Sequence, residues 1–495
     1  MTAIVILTHL QRRRQGISCR TERTYVAATG KTATRTLQRN GLTMTSTATR
    51  TKRYAIVGTG GRAWNFIRPI IDDYKDHCAL VGLCDVNRGR LDYHNDRLAA
   101  EGHETLPTFE VDPRNIDDIS AFDQMVEQTR PDVVIVTTVD GYHDRYIIRA
   151  MELGCDVVTE KPMTIDDAKC RAILDAQQRT GRDCRVAFNY RFGAEASHLR
   201  KLISDGIVGD VVSVDMEYML DVSHGADYFR RWHRDKDKSG GLLVHKATHH
   251  FDLVNWWIDA VPQRVFALGQ LAFYGKDAAA SRGHSYAYDR YTGNVSPDDD
   301  PFALDLASHD SMKKLYLDAE KHDGYRRDQN VFGEGISIED SMSVLVKYRT
   351  GVQLTYSLNA FLPQEGYHVA FNGAKGRLTY SAGAAPHIIT GEGSETDVKY
   401  THECWFHPSF GKPEQVELPQ RRKGGHGGAD PVLHEQIFDP DAAPDPLARN
   451  AGHGQGAASI LIGIAANRSI ATGDPVDIAD LCPQLGDTAR LSELP

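Results

Sequence analysis

A short β-type run, Tyr54–Val57, ends in Gly58-Thr59-Gly60-Gly61-Arg62-Ala63 and gives way to helix-compatible sequence. In that strand–turn–helix order a G-x-G-x-x-G/A pattern carries physical meaning. Gly58 permits a tight turn, Gly60 lets backbone approach a pyrophosphate, and Ala63 is small enough for helix and strand to pack closely. The helix N-terminus adds free N–H groups and the positive end of its dipole. A second β-type run, Ala79–Cys84, closes on Asp85, where a carboxylate accepts hydrogen bonds from an adenosine ribose. The start of the chain is thereby committed to a parallel sheet that holds a dinucleotide.

From Tyr54 onward strands alternate with helical stretches, the rhythm of a parallel sheet covered on both faces. Residues 131–137 form a near-continuous apolar run, as a buried parallel strand requires. A helix over about 142–153 ends at Gly154, and the strand Cys155–Thr159 carries Glu160-Lys161-Pro162 at its C-terminal end. Helix 165–180 and strand 185–188 close this unit. The pattern then changes to a long strand (211–219), an aromatic and basic loop (221–237), and a helix capped by Ser239 that runs through His245 to Ile258. Residues 275–335 are polar and aperiodic, an insertion that covers something. Strands resume at 342–348 and 352–358, and a helix over 457–472 stops at Gly473.

At 495 residues the chain is too long for one core. The expected division is an extension (1–52), a nucleotide domain (53–190), a second domain (191–475, with the insertion) and a tail (476–495). The net charge is −10, but residues 1–53 hold eleven Lys/Arg and one acid, so the body is strongly acidic, which argues against nucleic acid as a partner. The Arg/Thr-rich extension reads as a disordered segment or an over-called start, with an organelle transit peptide as the alternative. No apolar run approaches membrane-spanning length. Eight scattered cysteines without a C-x-x-C pair point to inert thiols in a reducing, cytoplasmic setting.

Chemistry concentrates in three places. Lys161 lies at the carboxyl end of a parallel strand, where such sheets bind ligands, and Pro162 fixes its backbone. His245, Lys246, His249, His250 and Asp252 share one predicted helix, with His245, His249 and Asp252 spaced onto one face. That face reads as a zinc site, as a satisfied core cluster, or as an acid/base group against a substrate hydroxyl, for which histidine is the natural residue. The run Tyr228–Arg234 places Arg230, Arg231 and Arg234 among aromatics, either as a solvated charge run or as guanidinium forks beside Trp232 for an anionic or sugar group.

These residues together resemble the glucose–fructose oxidoreductase / inositol dehydrogenase / rhizopine-catabolism (Gfo/Idh/MocA) family, closely over 53–270 and loosely over 340–475. The resemblance rests on Gly58-Thr59-Gly60, Asp85, the His143 that follows Thr138, Glu160-Lys161-Pro162, Asn189-Tyr190-Arg191-Phe192, and Gly240-Gly241 leading to His249-x-x-Asp252. It implies an N-terminal Rossmann domain with a doubly wound parallel sheet, then a C-terminal α+β domain with a large, mostly antiparallel open sheet. It also implies an NAD(P)-dependent oxidoreductase, a dehydrogenase acting on sugars, polyols or related hydroxy compounds, assembled as a homodimer or homotetramer. Cofactor contacts would come from Gly58, Gly60, Gly61, Arg62, Asp85, Thr138, His143, Glu160, Lys161 and Asn189. Substrate contacts would come from Tyr190, Arg191, Arg231, Trp232 and His250, and no metal is implied. Lys161 would hold the reacting hydroxyl and His249 would exchange its proton.

Two departures stand out. Many members carry an Asp four residues before the histidine; here His245 occupies that place beside Lys246, so either can share the role. Val139 replaces a common proline. Asp85 favours NAD over NADP, although Arg88 and Arg90 could accept a 2′-phosphate. The leading expectation is hydride transfer between nicotinamide and a sugar hydroxyl carbon. Its rivals are a redox-neutral NAD-dependent glycosidase acting on an anionic or modified sugar, and a non-catalytic NAD sensor.

Overall fold

The computed structural model describes residues 50–384, 401–420 and 423–495, which form one compact unit. Nearly all of the expected extension (1–52) lies outside the described residues.

Six strands, β1 (Lys52–Val57), β2 (Cys78–Asp85), β3 (Thr108–Glu110), β4 (Val133–Val136), β5 (Asp156–Thr159) and β6 (Cys184–Val186), pair in the order 6-5-4-1-2-3, all parallel. This is the doubly wound order, and its direction reverses between β1 and β4, the place where a crevice opens. Tyr54, Ile56, Val133 and Ile135 face one core and Ala55, Val57, Val134 and Val136 the other, so both faces are buried. That explains the unbroken apolar runs.

The second sheet collects β7 (Val211–Asp221), β8 (Pro262–Gln270), β9 (Ser341–Tyr348), β10 (Gln353–Leu362), β11 (Glu365–Gly373), β12 (Gly376–Ala384), β13 (Thr401–Pro408) and β14 (Glu414–Gln415). Their order is 14-13-12-11-7-10-9-8, antiparallel except for the β7–β10 pair. Along β9, Met342, Val344, Val346 and Tyr348 point inward and Leu345 and Lys347 outward, the alternation of a half-covered sheet. Among the described residues no helix is long and apolar enough to cross a membrane.

Three expectations are corrected. Residues 476–495 are not a free tail: Val476–Asp477 adds a short strand beside β8, Leu481, Cys482, Leu485 and Leu491 are buried, and the Pro495 carbonyl accepts from Gly454 N–H. Nor does the nucleotide domain close at 190. Ala451–Gly452 pairs with β6, and the segment 425–438 packs beside it, so the chain returns to the first sheet before Val476–Asp477 adds the last strand of the second. Residues 222–230 are helical rather than loop, because Asp221 accepts from the Ser223 and His224 N–H groups and starts a helix.

Candidate functional site

A single cavity of about 1160 Å³ runs from the glycine loop and Asp85 to the histidine segment of the second domain. It exceeds the roughly 300–1,000 Å³ of a pocket for one small ligand, leaving room for a dinucleotide and a second molecule.

At the glycine-loop end, Gly58 has φ +89°, and a Cβ placed there would stand 2.5 Å from Thr138 N, so only glycine lets β1 and β4 meet at the crevice. A Cβ on Gly60 would meet no protein atom within 4 Å, which leaves that ribbon open on the side where a pyrophosphate would lie. Asp85 accepts from Thr59 N–H, from Thr59 Oγ1 at 3.0 Å and from Asn87 N–H at 2.8 Å, so its carboxylate is fixed at the strand end. Arg62 is held by Glu160 at 2.5 Å and Asp430 at 3.3 Å. Thr138, His143 and Asn189 line the cavity; His143 faces the Pro162 and Thr138 carbonyls at 2.8 and 3.1 Å, and Asn189 donates to Asp430 at 2.7 Å. These residues fit a nicotinamide dinucleotide.

The insertion covers this end. Tyr316 Oη accepts from Gly61 N–H at 3.1 Å, Ala319 O accepts from Asn87 Nδ2 at 3.0 Å, and Asp323 pairs with Arg90 at 2.9 Å. Arg90 also stands 3.7 Å from Asp85, between two carboxylates.

At the other end the expected single helix after Ser239 is two pieces, Leu242–His245 and Thr248–Ile258, preceded by a separate short helix, Lys236–Ser239. Gly240 and Gly241, at φ +69° and +76°, break the first junction. Ser239 therefore ends a helix instead of opening one, although its Oγ accepts from Gly241 N–H at 3.0 Å. At the second junction His249 N–H turns to Lys246 O, at 3.3 Å, and the His245 carbonyl is left to accept from Lys161 Nζ at 3.0 Å. The break is thus what joins the ammonium of one domain to the histidine segment of the other.

It also scatters the expected single face. His245 Nδ1 meets Asp140 Oδ2 at 2.5 Å, whereas Asp252 is buried against Arg191 in a bidentate pair at 2.6 and 2.8 Å. Arg191 is fully buried and does not line the cavity, which corrects its assignment to substrate. Among the described residues the one convergent group of potential metal ligands is elsewhere, at Asp221, His224 and Glu365. There His224 already meets Glu365 at 3.0 Å and Tyr228 Oη at 3.2 Å.

His249 lines the cavity with its ring stacked on Tyr190 at 3.9 Å, and its buried Nδ1 has no hydrogen-bond partner among the described residues. Lys246 Nζ donates to Tyr190 Oη at 3.1 Å, and His250 lies on Tyr218 at 3.7 Å with Nδ1 against Tyr356 Oη. Arg231 and Trp232 line the cavity, while Arg230 and Arg234 bond backbone carbonyls of the insertion, Phe302 O and Asn330 and Glu334 O.

The electrostatics follow from burial. Desolvation brings Lys161 down to about 8, with Asp140 and Glu160 resisting the fall. Burial, reinforced by Lys161, pushes His245 and His249 well below the ordinary histidine value, so both rings are neutral at pH 7. Burial raises Asp140 despite the Lys161 charge beside it. Burial opposes the charge on Lys246, yet Tyr190, Tyr228 and Glu365 raise it above an ordinary lysine.

Asp140, Asp430, Arg327, Tyr316 and Asp323 all line this cavity and were missed in sequence. Asp140 had a signal: it follows Thr138 by two residues at the carboxyl end of β4. The others come from segments whose position only the tertiary fold determines.

Two domain models match the chain: an oxidoreductase family NAD-binding Rossmann fold over residues 52–188, and an oxidoreductase family C-terminal alpha/beta domain over 200–478. A Bacillus subtilis (strain 168) protein that carries an oxidoreductase name, YteT, is 34% identical over 453 residues, covering 87% of this chain and 98% of its own. A glycosyl hydrolase family 109 protein of Shewanella baltica (strain OS155) is 21% identical over 398 residues, 77% of this chain and 74% of its own. The WlbA dehydrogenase of Bordetella pertussis, solved with NADH and UDP-GlcNAcA, shares the fold at a TM-score of 0.56 and 18% identity, over 86% of this chain and 99% of that one.

Proposed function

This chain belongs to the Gfo/Idh/MocA oxidoreductase family, and from that premise we propose that it oxidises or reduces a hydroxyl-bearing carbon of a sugar, polyol or sugar derivative with NAD. One observation carries the reading: Lys161, at the end of a Rossmann strand, bonds the His245 carbonyl across the domain boundary inside the cavity that begins at the glycine loop. The nicotinamide supplies the hydride acceptor or donor. Lys161, a cation at pH 7, donates to the substrate oxygen and stabilises negative charge as it develops there. His249, neutral and facing the same cavity, takes the hydroxyl proton in the oxidative direction and returns it in the other. Asp140 stands beside Lys161 and His245 and supplies the carboxylate that the sequence lacks four residues before His249. Asp85 and Asp323 flank the ribose region with negative charge and occupy Arg90, which favours NAD over a 2′-phosphorylated cofactor.

A second reading has support of its own. Relatives named as glycosyl hydrolase family 109 proteins span most of the chain, and the insertion bonds the glycine loop through Tyr316 as though to retain the cofactor between turnovers. In that scheme oxidation acidifies a neighbouring C–H, the glycoside leaving group is eliminated, water adds, and the hydride returns. A panel of free sugars and chromogenic glycosides separates the two. Accumulating NADH supports net oxidation. Aglycone release that needs NAD but leaves no NADH supports the redox-neutral route. Neither signal, with NAD shown to bind, counts against both.

A further inference from the structure

Three guanidiniums surround a single buried carboxylate at the reacting end of the cavity. Asp227 faces Arg327 Nη1 at 2.7 Å, Arg231 Nε at 3.0 Å and Arg230 Nη1 at 3.9 Å. Arg230 turns its remaining donors to Phe302 O and leaves the cavity. Arg231 and Arg327 stay in its lining, and one carboxylate balances only one of them. Among the described residues Arg231 Nε donates to the Asp227 carbonyl at 3.3 Å and makes no other hydrogen bond, and Arg327 Nη1, though ion-paired with Asp227, makes none. The other acids nearby are engaged: Asp140 with His245, Glu365 with His224, Asp323 with Arg90. Arg327 is 6% exposed, so its surplus charge is poorly solvated and calls for an anion.

Arg231 stands toward Asp140 and His245, and Arg327 lies 5.8 Å from the Tyr316 ring, so the pair sits between the Lys161 side and the glycine loop. Arg231 is close enough to Asp140 and His245 to bias their protonation, and Tyr228 and Trp232 border it with rings suited to a sugar face. Arg327 comes from the insertion, which therefore reaches from the glycine loop to the substrate region. Guanidinium forks match carboxylate and phosphate oxygens in pairs.

We propose that Arg231 and Arg327 form an anion-recognising fork that selects a sugar bearing a carboxylate or phosphate over its neutral counterpart. The inference rests on the reading that this cavity takes a sugar beside the nicotinamide. The test is calorimetric titration of the NAD-saturated protein with glucuronate, galacturonate and glucose 6-phosphate, each against glucose and galactose, in wild type, Arg327→Gln and Arg231→Gln. NAD is titrated separately into all three.

At least one anionic probe should bind about tenfold tighter than its neutral partner, the preference shrinking in added salt. It should fall to within about threefold in either variant, with NAD affinity unchanged. Whether uronate or phosphate shows the preference identifies the group. Equal binding of charged and neutral probes, a preference that survives in both variants, or no binding by any anionic probe overturns the proposal. So does a parallel loss of NAD affinity, which would assign the fork to the cofactor's pyrophosphate. Equal binding of charged and neutral probes together with NADH production from neutral sugars by all three proteins would remove the fork and leave the oxidoreductase reading intact. Arg231, partly exposed, provides the second variant should Arg327→Gln fail to fold.

Discussion

At the glycine-loop end of the cavity, Gly58, Gly60 and Asp85 come from one strand–helix–strand unit, and hydrogen bonds within that unit hold them. The reacting end draws Asp140, Lys161, the pair His245 and His249, and Arg327 from four separate segments of both domains. The first end is local chemistry repeated wherever a strand must present a phosphate to a helix. The second is an agreement between distant segments, enforced by a broken helix and by burial. Damage to the first should change how tightly cofactor binds, whereas damage to the second should change what happens after it binds.

Lys161→Met breaks that comparison most severely if it is wrong. It should cost about 10²–10⁴-fold in turnover while NAD affinity by calorimetry stays near wild type. An equal loss of NAD binding would merge the two ends into one. Gly58→Ala is the converse case. Its Cβ meets the Thr137–Thr138 backbone just past β4, in a conformation costing on the order of 1–3 kcal/mol, so NAD binding should weaken by roughly 5–150-fold. Measurable turnover should persist at saturating cofactor.

Asp140→Asn sharpens the comparison through pH. With Lys161 required as a cation, turnover should fall as pH rises through about 8. Asp140 supports that charge, so its removal lowers the lysine further and should move the alkaline limb of kcat to lower pH. A limb that does not move, or moves up, contradicts the assigned roles. The smallest effect belongs to Asp323→Asn, which removes one of the two carboxylates at Arg90. A loss of about 1 kcal/mol, or about fivefold in NAD affinity with NADP relatively favoured, is expected by competitive titration. Unchanged selectivity would remove the insertion from cofactor choice.

The same division decides what could be read without a fold. Gly58, Asp85, Lys161 and the parallel rhythm were legible because strand periodicity and turn chemistry act over a few residues. The helix through His245 was misread because the junction at Lys246–Ala247 is set by Lys161, more than eighty residues earlier, competing for a carbonyl. Arg191 carried the sequence signature of a site residue, yet its charge is spent on Asp252 in the core, a partner that local spacing cannot reveal. Arg327 lay in a stretch without periodicity, and its meaning depends wholly on Asp227. The packed residues after 475 escaped notice because they dock on surfaces formed by the rest of the chain.

Single-turnover NADH fluorescence puts the central claim to its most direct test. Wild-type and Lys161→Met protein would be saturated with NAD and mixed rapidly with a pooled panel of neutral and acidic sugars. A rise in reduced nicotinamide for the wild type, transient or lasting, and its absence in a variant that binds NAD equally well is the predicted result. Reduction by the variant at the wild-type rate would contradict the account.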